Sequence, residues 1–188
     1  MNLKEYISII QILLVQTHAE LLEWFNEPQH ILDYRPSDGG WTVFEILEHI
    51  ALTSHYLLIL IDKGASKALK NINNLDLEQE ISKATFDFTH LENISQHKSF
   101  DWIRPEHMEP TGEKSELEII QQLISQMNRC LTHLEELQNG EGLLYSTTMT
   151  VDNLGKLNVY EYIYFLNAHA IRHLQQMDEN VSENTASN

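Results

Sequence analysis

Two histidines one helical turn apart are the residues of this sequence best suited to bind a metal ion. His169 and His173 stand at positions i and i+4 of an apolar-periodic segment, and on a helix such side chains lie about 5–6 Å apart. Two neutral imidazoles at that distance can bind one cation. The chain has 10 histidines among 188 residues. Because about half a pair with this spacing is expected by chance, a metal site needs a third ligand from elsewhere.

His49 is the candidate for that third ligand. It lies inside a strongly apolar helical segment, where burying an imidazole without a partner is costly. The alternative is a core histidine whose ring bonds a backbone carbonyl. His49 lies about 10 Å beyond the predicted start of its helix at Thr42, and the histidine pair lies about 10 Å before the predicted end of its own helix. The three imidazoles therefore reach one level only if these two helices are antiparallel.

Four amphipathic segments are predicted to position the histidines. Capping boxes that begin at Thr42 and Ser115 indicate where two of them start. Apolar side chains recur at helical spacing in all four, which cover residues 2–26, 43–62, 116–138 and 159–178. A further short helix is predicted over residues 77–94. No strand is predicted, and residues 143–151, with three threonines, are the least certain stretch.

The long connection between the second and third predicted helices allows a crossover in the bundle. Simple up-and-down wiring would make the second and fourth helices parallel, so an antiparallel pair needs parallel second and third helices joined by a crossover. Residues 63–114 provide 52 residues for it, far more than the few that join antiparallel neighbours. We therefore predict an all-α, four-helix bundle with a long crossover between helices two and three. It forms a single domain over residues 1–178, followed by a disordered tail over residues 179–188.

The charge balance excludes several classes of partner. With 12 Lys+Arg against 28 Asp+Glu, the formal net charge is −16. Phosphate backbones and anionic lipid are bound by clustered Lys and Arg, so we expect neither nucleic acid nor a membrane as partner. The single cysteine, Cys130, cannot form an internal disulfide, which indicates a reducing, cytoplasmic location. No apolar stretch near the N-terminus resembles a signal peptide or a membrane span.

Three sequence motifs occur in the order found in one known family. They are Trp41-Thr42-x-x-Glu45-Ile46-Leu47-x-His49-Ile50, Pro110-x-Gly112-x-x-Ser115-x-x-Glu118, and Gly155-Lys156-Leu157-x-Val159-x-Glu161 leading to His169-x-x-x-His173-Leu174-x-Gln176-Met177. Over residues 1–178 the sequence thereby resembles the DinB/YfiT-like superfamily. The resemblance implies a four-helix bundle with a long crossover. It also implies a metal site made by His49, His169 and His173.

Three histidines on one ion leave at least one coordination position open, which is typical of catalytic sites. We expect a divalent ion, Zn²⁺ or Ni²⁺, because neutral nitrogen donors disfavour Mg²⁺ and Ca²⁺. The resemblance implies a hydrolase, or a transferase that uses a low-molecular-weight thiol such as bacillithiol, mycothiol or glutathione. The expected partner is a small-molecule substrate, and a homodimer is the candidate assembly. The alternative is a non-catalytic, metal-binding or stress-related helical module.

Three charged residues are candidates for roles beside the metal. Glu45, one turn before His49, is placed to accept a hydrogen bond from that imidazole or to act as a base, and its alternative is a pure helix cap. Arg172, next to the histidine pair, and Arg35, before the second helix, are candidate cations for an anionic thiol, with surface charges as the alternative. The other histidines are predicted to be surface or loop residues: His18, His30, His55, His90, His97, His107 and His133.

Overall fold

Helices account for most of the chain, as predicted. A computed structural model describes residues 1–100 and 105–187. The elements are α1 (Leu3–Glu23), α2 (Gln29–Leu32), α3 (Val43–Asn71), α4 (Leu77–Lys83), α5 (Glu116–Glu136), β1 (Ser146–Met149), β2 (Gly155–Asn158) and α6 (Val159–Ser187). Stretches of 3-10 helix cover Trp24–Asn26, Thr89–Ser95, Glu106–Met108, Glu141–Leu144 and Val151–Asn153.

Side-chain caps start two of the long helices at the predicted residues. Thr42 Oγ1 accepts a hydrogen bond from the Glu45 N–H at 3.2 Å, and the Glu45 carboxylate accepts one from the Thr42 N–H at 2.8 Å. Ser115 and Glu118 form the same reciprocal pair before α5. Each pair satisfies backbone donors that have no partner within the first helical turn. The start of the helix that carries His49 is therefore encoded locally.

Contacts just before α3 and in its second half show that α3 and α6 are antiparallel. Just before α3, the Trp41 carbonyl accepts a hydrogen bond from the Asn180 side chain at 2.9 Å. In the second half of α3, Gly64 packs against the Val159 side chain at the start of α6. Rising residue numbers in one helix thus meet falling numbers in the other. The antiparallel pairing inferred from the depth of the histidines is confirmed.

Contacts between α3 and α5 show that these two helices are parallel. The Ala51 carbonyl accepts a hydrogen bond from the Gln126 side chain at 2.8 Å. Further along both helices, the Asp62 carboxylate accepts one from Arg129 at 2.7 Å. Residue numbers rise together, so the chain from Ile72 onward must return along the bundle before α5 begins. The predicted crossover is confirmed.

The helix inside the crossover is shorter than predicted. Helix α4 ends at Lys83, whereas the prediction continued it to residue 94. The Tyr6 ring on α1 lies 5.6 Å from the Phe86 ring and 4.7 Å from the Phe88 ring, measured between centroids. Burial of these two aromatic side chains against α1 draws the backbone out of the helix. Tertiary packing here overrides local helical propensity.

Two further boundaries differ from the prediction. Helix α3 continues past residue 62 to Asn71, because Ala65 and Ala68 extend its buried face. The expectation of no strand is wrong for the segment before α6. There, β1 and β2 pair as a short antiparallel hairpin, with Thr147 opposite Leu157. The hairpin is local and leaves the helical class of the fold unchanged.

Helix α6 also continues beyond its predicted end. The tail over residues 179–188 is predicted to be disordered, but the structure describes helix through Ser187. The Glu183 carboxylate accepts hydrogen bonds from the Ser37 N–H at 2.8 Å and from the Tyr34 hydroxyl at 3.1 Å. Long-range contacts with the loop before α3 therefore stabilise an extension whose composition alone favours fraying.

The apolar interior consists of two clusters at different levels of the bundle. The larger one, which we call the distal core, includes Tyr6, Leu14, Cys130, Tyr160 and Ile163. Burial raises the pKa of the Cys130 thiol to about 12, so this cysteine behaves as the small buried apolar residue that was predicted. The smaller cluster, the site core, includes Leu21, Ile46, Leu47, Ile50 and Met177.

Helix α3 is long and apolar enough to cross a membrane, judged by length and composition alone. Within its most apolar 18-residue window, however, 61% is buried inside the fold. The central helix of a bundle has the same character, because it is covered by its neighbours. The apolarity of α3 is thus weak evidence for a membrane span.

Candidate metal centre

Three histidines from two antiparallel helices meet beside the site core. His49 comes from α3, and His169 and His173 come from α6. One nitrogen of each lies within 4.8 Å of the other two, and the Nε2 atoms of His169 and His173 are 3.1 Å apart. The three residues are 3%, 2% and 7% exposed, respectively. The structure thus brings together the three residues that the sequence predicted as ligands.

Hydrogen bonds at Nδ1 orient two of the rings. His49 Nδ1 lies 2.7 Å from the Met108 carbonyl, and His173 Nδ1 lies 2.8 Å from Gln176 Oε1. Both partners are acceptors, so the network assigns a proton to Nδ1 of each ring. Each Nε2 then carries the lone pair that a metal ion needs. The rings are therefore held in the tautomer that presents Nε2 to the cluster.

The protonation state of the pair on α6 also suits metal binding. Burial, the largest cause, and the neighbouring His173 and His49 rings lower the pKa of His169 well below 6.5. Burial and the His49 ring likewise lower the pKa of His173 well below 6.5, although the bond to Gln176 opposes the shift. An imidazole must be neutral to bind a metal. Both residues therefore stay in the ligand form at pH values where a free histidine is already protonated.

The spacing of the nitrogens fits an ion that prefers nitrogen ligands. Zn–N bonds of about 2.0–2.1 Å at tetrahedral angles place two donor nitrogens about 3.3 Å apart. The 3.1 Å between the two Nε2 atoms of α6 is close to that value. The three ligand nitrogens lie within 4.8 Å of one another, so a small inward movement of the side chains would bring all of them to bonding distance from one ion. Three buried histidines are thus positioned to bind a divalent metal ion.

Glu45 makes the contacts of a helix cap. Its Oε2 accepts the Thr42 N–H, and its Oε1 lies 2.6 Å from Arg35. Burial raises the pKa of Glu45, but the bonds from Arg35 and Thr42 outweigh it and lower the pKa below its usual value. The acceptor role toward His49 that was predicted for Glu45 is filled instead by the Met108 carbonyl. Glu45 therefore caps α3, and the lowered pKa is unfavourable for a general base. A catalytic role for Glu45 stays a prediction.

The two predicted cations are engaged by other groups. The Arg172 guanidinium is buried and donates hydrogen bonds to the Gln96 carbonyl and, at 3.1 Å, to Ser99 Oγ. It therefore holds the crossover against α6, and its alternative as a surface charge is wrong. Arg35 is exposed and donates to the Gly40 carbonyl at 2.9 Å as well as to Glu45. The role of either residue in binding an anionic thiol stays a prediction.

Several residues at the site were missed in the sequence. The buried Thr53 hydroxyl lies 3.5 Å from His49 Nε2, and Gln176 bonds His173. Their spacings, i+4 from His49 and i+3 from His173, are signals that could have identified them. The Met108 carbonyl acts through the backbone and leaves no such signal.

One of the remaining histidines was placed wrongly. His18 is buried rather than at the surface, and its Nδ1 bonds the Leu14 carbonyl one turn earlier at 2.8 Å. Burial lowers its pKa below the usual value. The buried face of α1 is wide enough to include His18. The Leu14 carbonyl, four residues earlier, provides the hydrogen-bond partner for the Nδ1 atom of the ring. His18 is therefore a core histidine of the kind that was considered for His49.

Comparison with known proteins identifies one family. The model of the DinB superfamily matches residues 13–177. This range includes all three histidines, the crossover, the whole of α3 and the part of α6 that carries His169 and His173. No curated protein and no solved structure matches the chain.

Proposed function

This chain belongs to the DinB superfamily, and from that premise we propose that it is a metal-dependent enzyme acting on a small-molecule substrate. The observation that carries the proposal is the convergence of three buried imidazoles from α3 and α6. Three protein ligands leave a position for a reactant, as in catalytic zinc sites. Zn²⁺ or Ni²⁺ are the ions that this donor set favours.

The residues of the chain prepare the site for such an ion. His49 and His173 are oriented by Met108 and Gln176, so little reorganisation is needed when a ligand binds. The Trp41 ring lies 4.6 Å from the His49 ring and covers it on the side of the site core. A bound ion would act as a Lewis acid and lower the pKa of a water or a thiol. The apolar surroundings strengthen every electrostatic interaction at the site.

We favour water over a thiol as the nucleophile, and hence a hydrolase over a thiol S-transferase. Bacillithiol and glutathione, two of the thiols considered, carry carboxylates, for which Arg172 and Arg35 were the predicted partners. Both guanidiniums are already engaged, by the crossover and by Glu45. Water needs no such anion site. A thiol S-transferase is the alternative, so the substrates tested must include thiols paired with electrophiles.

The experiment compares metal-free, Zn²⁺-loaded and Ni²⁺-loaded protein on esters, amides and thiol–electrophile pairs. Turnover is expected only with metal, and the His49→Ala variant should lose it while its helical circular dichroism is retained. His90→Ala is the matched control, because His90 is exposed and pairs with Glu161 at the other end of α6. Full activity of His49→Ala with every substrate that the wild type accepts would contradict the proposal.

The second candidate function is a metal clip without catalysis. The near-complete burial of all three imidazoles favours it, because a structural site needs no access for substrate. In that case metal removal or His49→Ala should unfold the bundle, and no substrate should turn over. Thermal unfolding of metal-free and metal-loaded protein therefore separates the two candidates.

A further inference from the structure

The last part of the crossover lies against α3 beside the metal centre. In residues 106–112, which we call the strap, the His107 ring stands edge-on to Tyr56 with centroids 4.4 Å apart. The Met108 carbonyl of the strap accepts the hydrogen bond from His49 Nδ1 at 2.7 Å. The strap therefore supplies, through its backbone, the group that orients one of the three imidazoles.

Glu48 holds the other end of the strap. Its Oε1 accepts a hydrogen bond from the Thr111 hydroxyl at 2.9 Å, and its Oε2 accepts one from the Gly112 N–H at 2.8 Å. Successive residues of a helix point about 100° apart, so Glu48 and His49 reach the strap from neighbouring sides of α3. Gly112 has φ +70°, a conformation that glycine adopts without strain. The two adjacent side chains thus bond the strap at Met108 and at Thr111 and Gly112, three to four residues further along.

The burial of Glu48 is unusual for a carboxylate. The residue is 1% exposed, and within residues 1–100 and 105–187 it forms no ion pair. A carboxyl group at such a depth is costly unless hydrogen bonds satisfy its oxygens. The strap provides both of the bonds described for it. For stability alone an apolar side chain would serve as well, so the carboxyl group is best explained by what it holds in place.

We propose that Glu48 is a positioning residue of the metal centre. It keeps the strap where the Met108 carbonyl fixes the His49 proton on Nδ1, so that Nε2 faces the other two imidazoles. Once the ring is released from that carbonyl, the proton is free to move to Nε2, which then no longer has a lone pair for a metal. The proposal rests on the proposed metal function, and it adds a residue that acts through the strap without touching the ion.

Four variants test the proposal. Glu48→Ala removes both bonds to the strap, and Thr111→Val removes one of them. Glu48→Gln is the conservative variant, because its amide can accept from the Gly112 N–H and donate to the Thr111 hydroxyl. Glu141→Ala is the matched control. Glu141 is also a buried carboxylate with a backbone N–H and a side-chain N–H as donors, both from Asn139 at 3.0 Å, but it lies beside the distal core.

Two measurements are made on each variant. Imidazole ¹⁵N spectra of the metal-free protein report the His49 tautomer, and competition titration reports the affinity for Zn²⁺. We expect the Nδ1–H tautomer in wild type, Glu48→Gln and Glu141→Ala, and a shift toward Nε2–H in Glu48→Ala. Zn²⁺ affinity should fall about 10–100-fold in Glu48→Ala, the range seen when a group that orients a ligand is lost. Thr111→Val should show a smaller change in the same direction.

The outcomes separate this proposal from the proposed function. If folded Glu48→Ala keeps the wild-type tautomer and affinity, Glu48 has no positioning role, whatever the metal does. If Glu48→Ala does not fold, Thr111→Val decides, and wild-type values for that variant overturn the proposal. If the wild type binds no Zn²⁺, the metal function fails, while the tautomer comparison still decides the role of Glu48.

Discussion

The distal core and the site core bury polar groups in different ways. In the distal core, the Tyr160 hydroxyl donates a hydrogen bond to the Leu137 carbonyl and accepts one from the Gly142 N–H at 3.0 Å. Its polar atom is satisfied by backbone of the same chain. Beside the site core, buried nitrogen atoms of the three imidazoles lie close together. The Nε2 atoms of the pair on α6 are 3.1 Å apart. The Tyr160 hydroxyl thus has internal partners, whereas the three imidazoles are arranged around a position for a cation.

This difference suggests that the two ends of the bundle determine different properties of the protein. A buried polar group with internal partners contributes to a unique packing arrangement. Buried groups that converge on one point cost stability and are typical of binding sites. The distal core should therefore set the free energy of unfolding, and the histidine end should set the affinity for metal. Each prediction below tests whether these two properties can be changed separately.

The largest effect is expected when both ligands of α6 are removed. The His169→Ala, His173→Ala double variant should lose metal affinity by more than the roughly 100-fold that loss of an orienting group costs. Its helical content should remain near that of the wild type, because the distal core is intact. Elemental analysis after dialysis against Zn²⁺ measures the bound metal. Equal metal content in variant and wild type would exclude this site.

The opposite pattern is expected for a truncation in the distal core. Leu14→Ala should lower the free energy of unfolding by about 2–5 kcal/mol, as buried leucine truncations do. Zn²⁺ affinity of the folded fraction should not change. Ile12→Ala on the exposed side of the same helix is the control and should stay within about 0.5 kcal/mol of wild type. Urea unfolding and Zn²⁺ titration are measured on the same samples. Weaker metal binding by Leu14→Ala would contradict the idea that stability and metal affinity can be changed separately.

The metal-free protein should lose stability in mild acid. The pKa values of His169 and His173 are lowered in the fold, so below about pH 6.5 the unfolded chain binds protons that the folded chain does not. The contribution of these two histidines to stability should be constant above that pH and should fall below it by at most about 1.4 kcal/mol per pH unit for each histidine. Thermal unfolding after chelator treatment measures this slope. The His169→Ala, His173→Ala variant should show a shallower slope, and an equal slope would assign the effect to other groups such as His18.

The smallest effect is expected for Glu45→Gln. A glutamine can still cap α3, and the half-exposed ion pair with Arg35 contributes about 1 kcal/mol or less. Metal affinity and turnover should stay near wild-type values if Glu45 is a helix cap. A loss of about 10²-fold or more in turnover, with stability unchanged, would instead restore the general-base role.

Much of the fold could be predicted because its signals are local or periodic. The capping box at Thr42 marks the start of α3, and the level of His49 on that helix required α6 to be antiparallel. The hairpin before α6 was missed because each strand has only four residues. The extension of α6 was missed because its stabilising partner, the loop that includes Ser37, is distant in the sequence.

The candidate site was predictable to a different degree for each of its parts. The histidine ligands reveal themselves by residue type and spacing. The burial of Arg172 could not be predicted, because its partners belong to the crossover, whose path no periodic pattern describes. The role of the Met108 carbonyl could not be predicted, since a residue of any type has the same backbone acceptor. Residues that act through side chains on helices are thus readable in a sequence, whereas those that act through loop backbone are not.

The hydrogen bond between Asn180 and the Trp41 carbonyl joins residues 139 positions apart. During synthesis, the helix that carries His49 leaves the ribosome long before the helix that carries the other two ligands. A chain that lacks α6 therefore has only one of the three proposed ligands, and a single imidazole competes poorly for metal against the cell's other ligands. High affinity would arise only when α6 docks. Metal loading would thus follow the synthesis and docking of α6, and a loaded site would distinguish chains that contain α6 from shorter fragments.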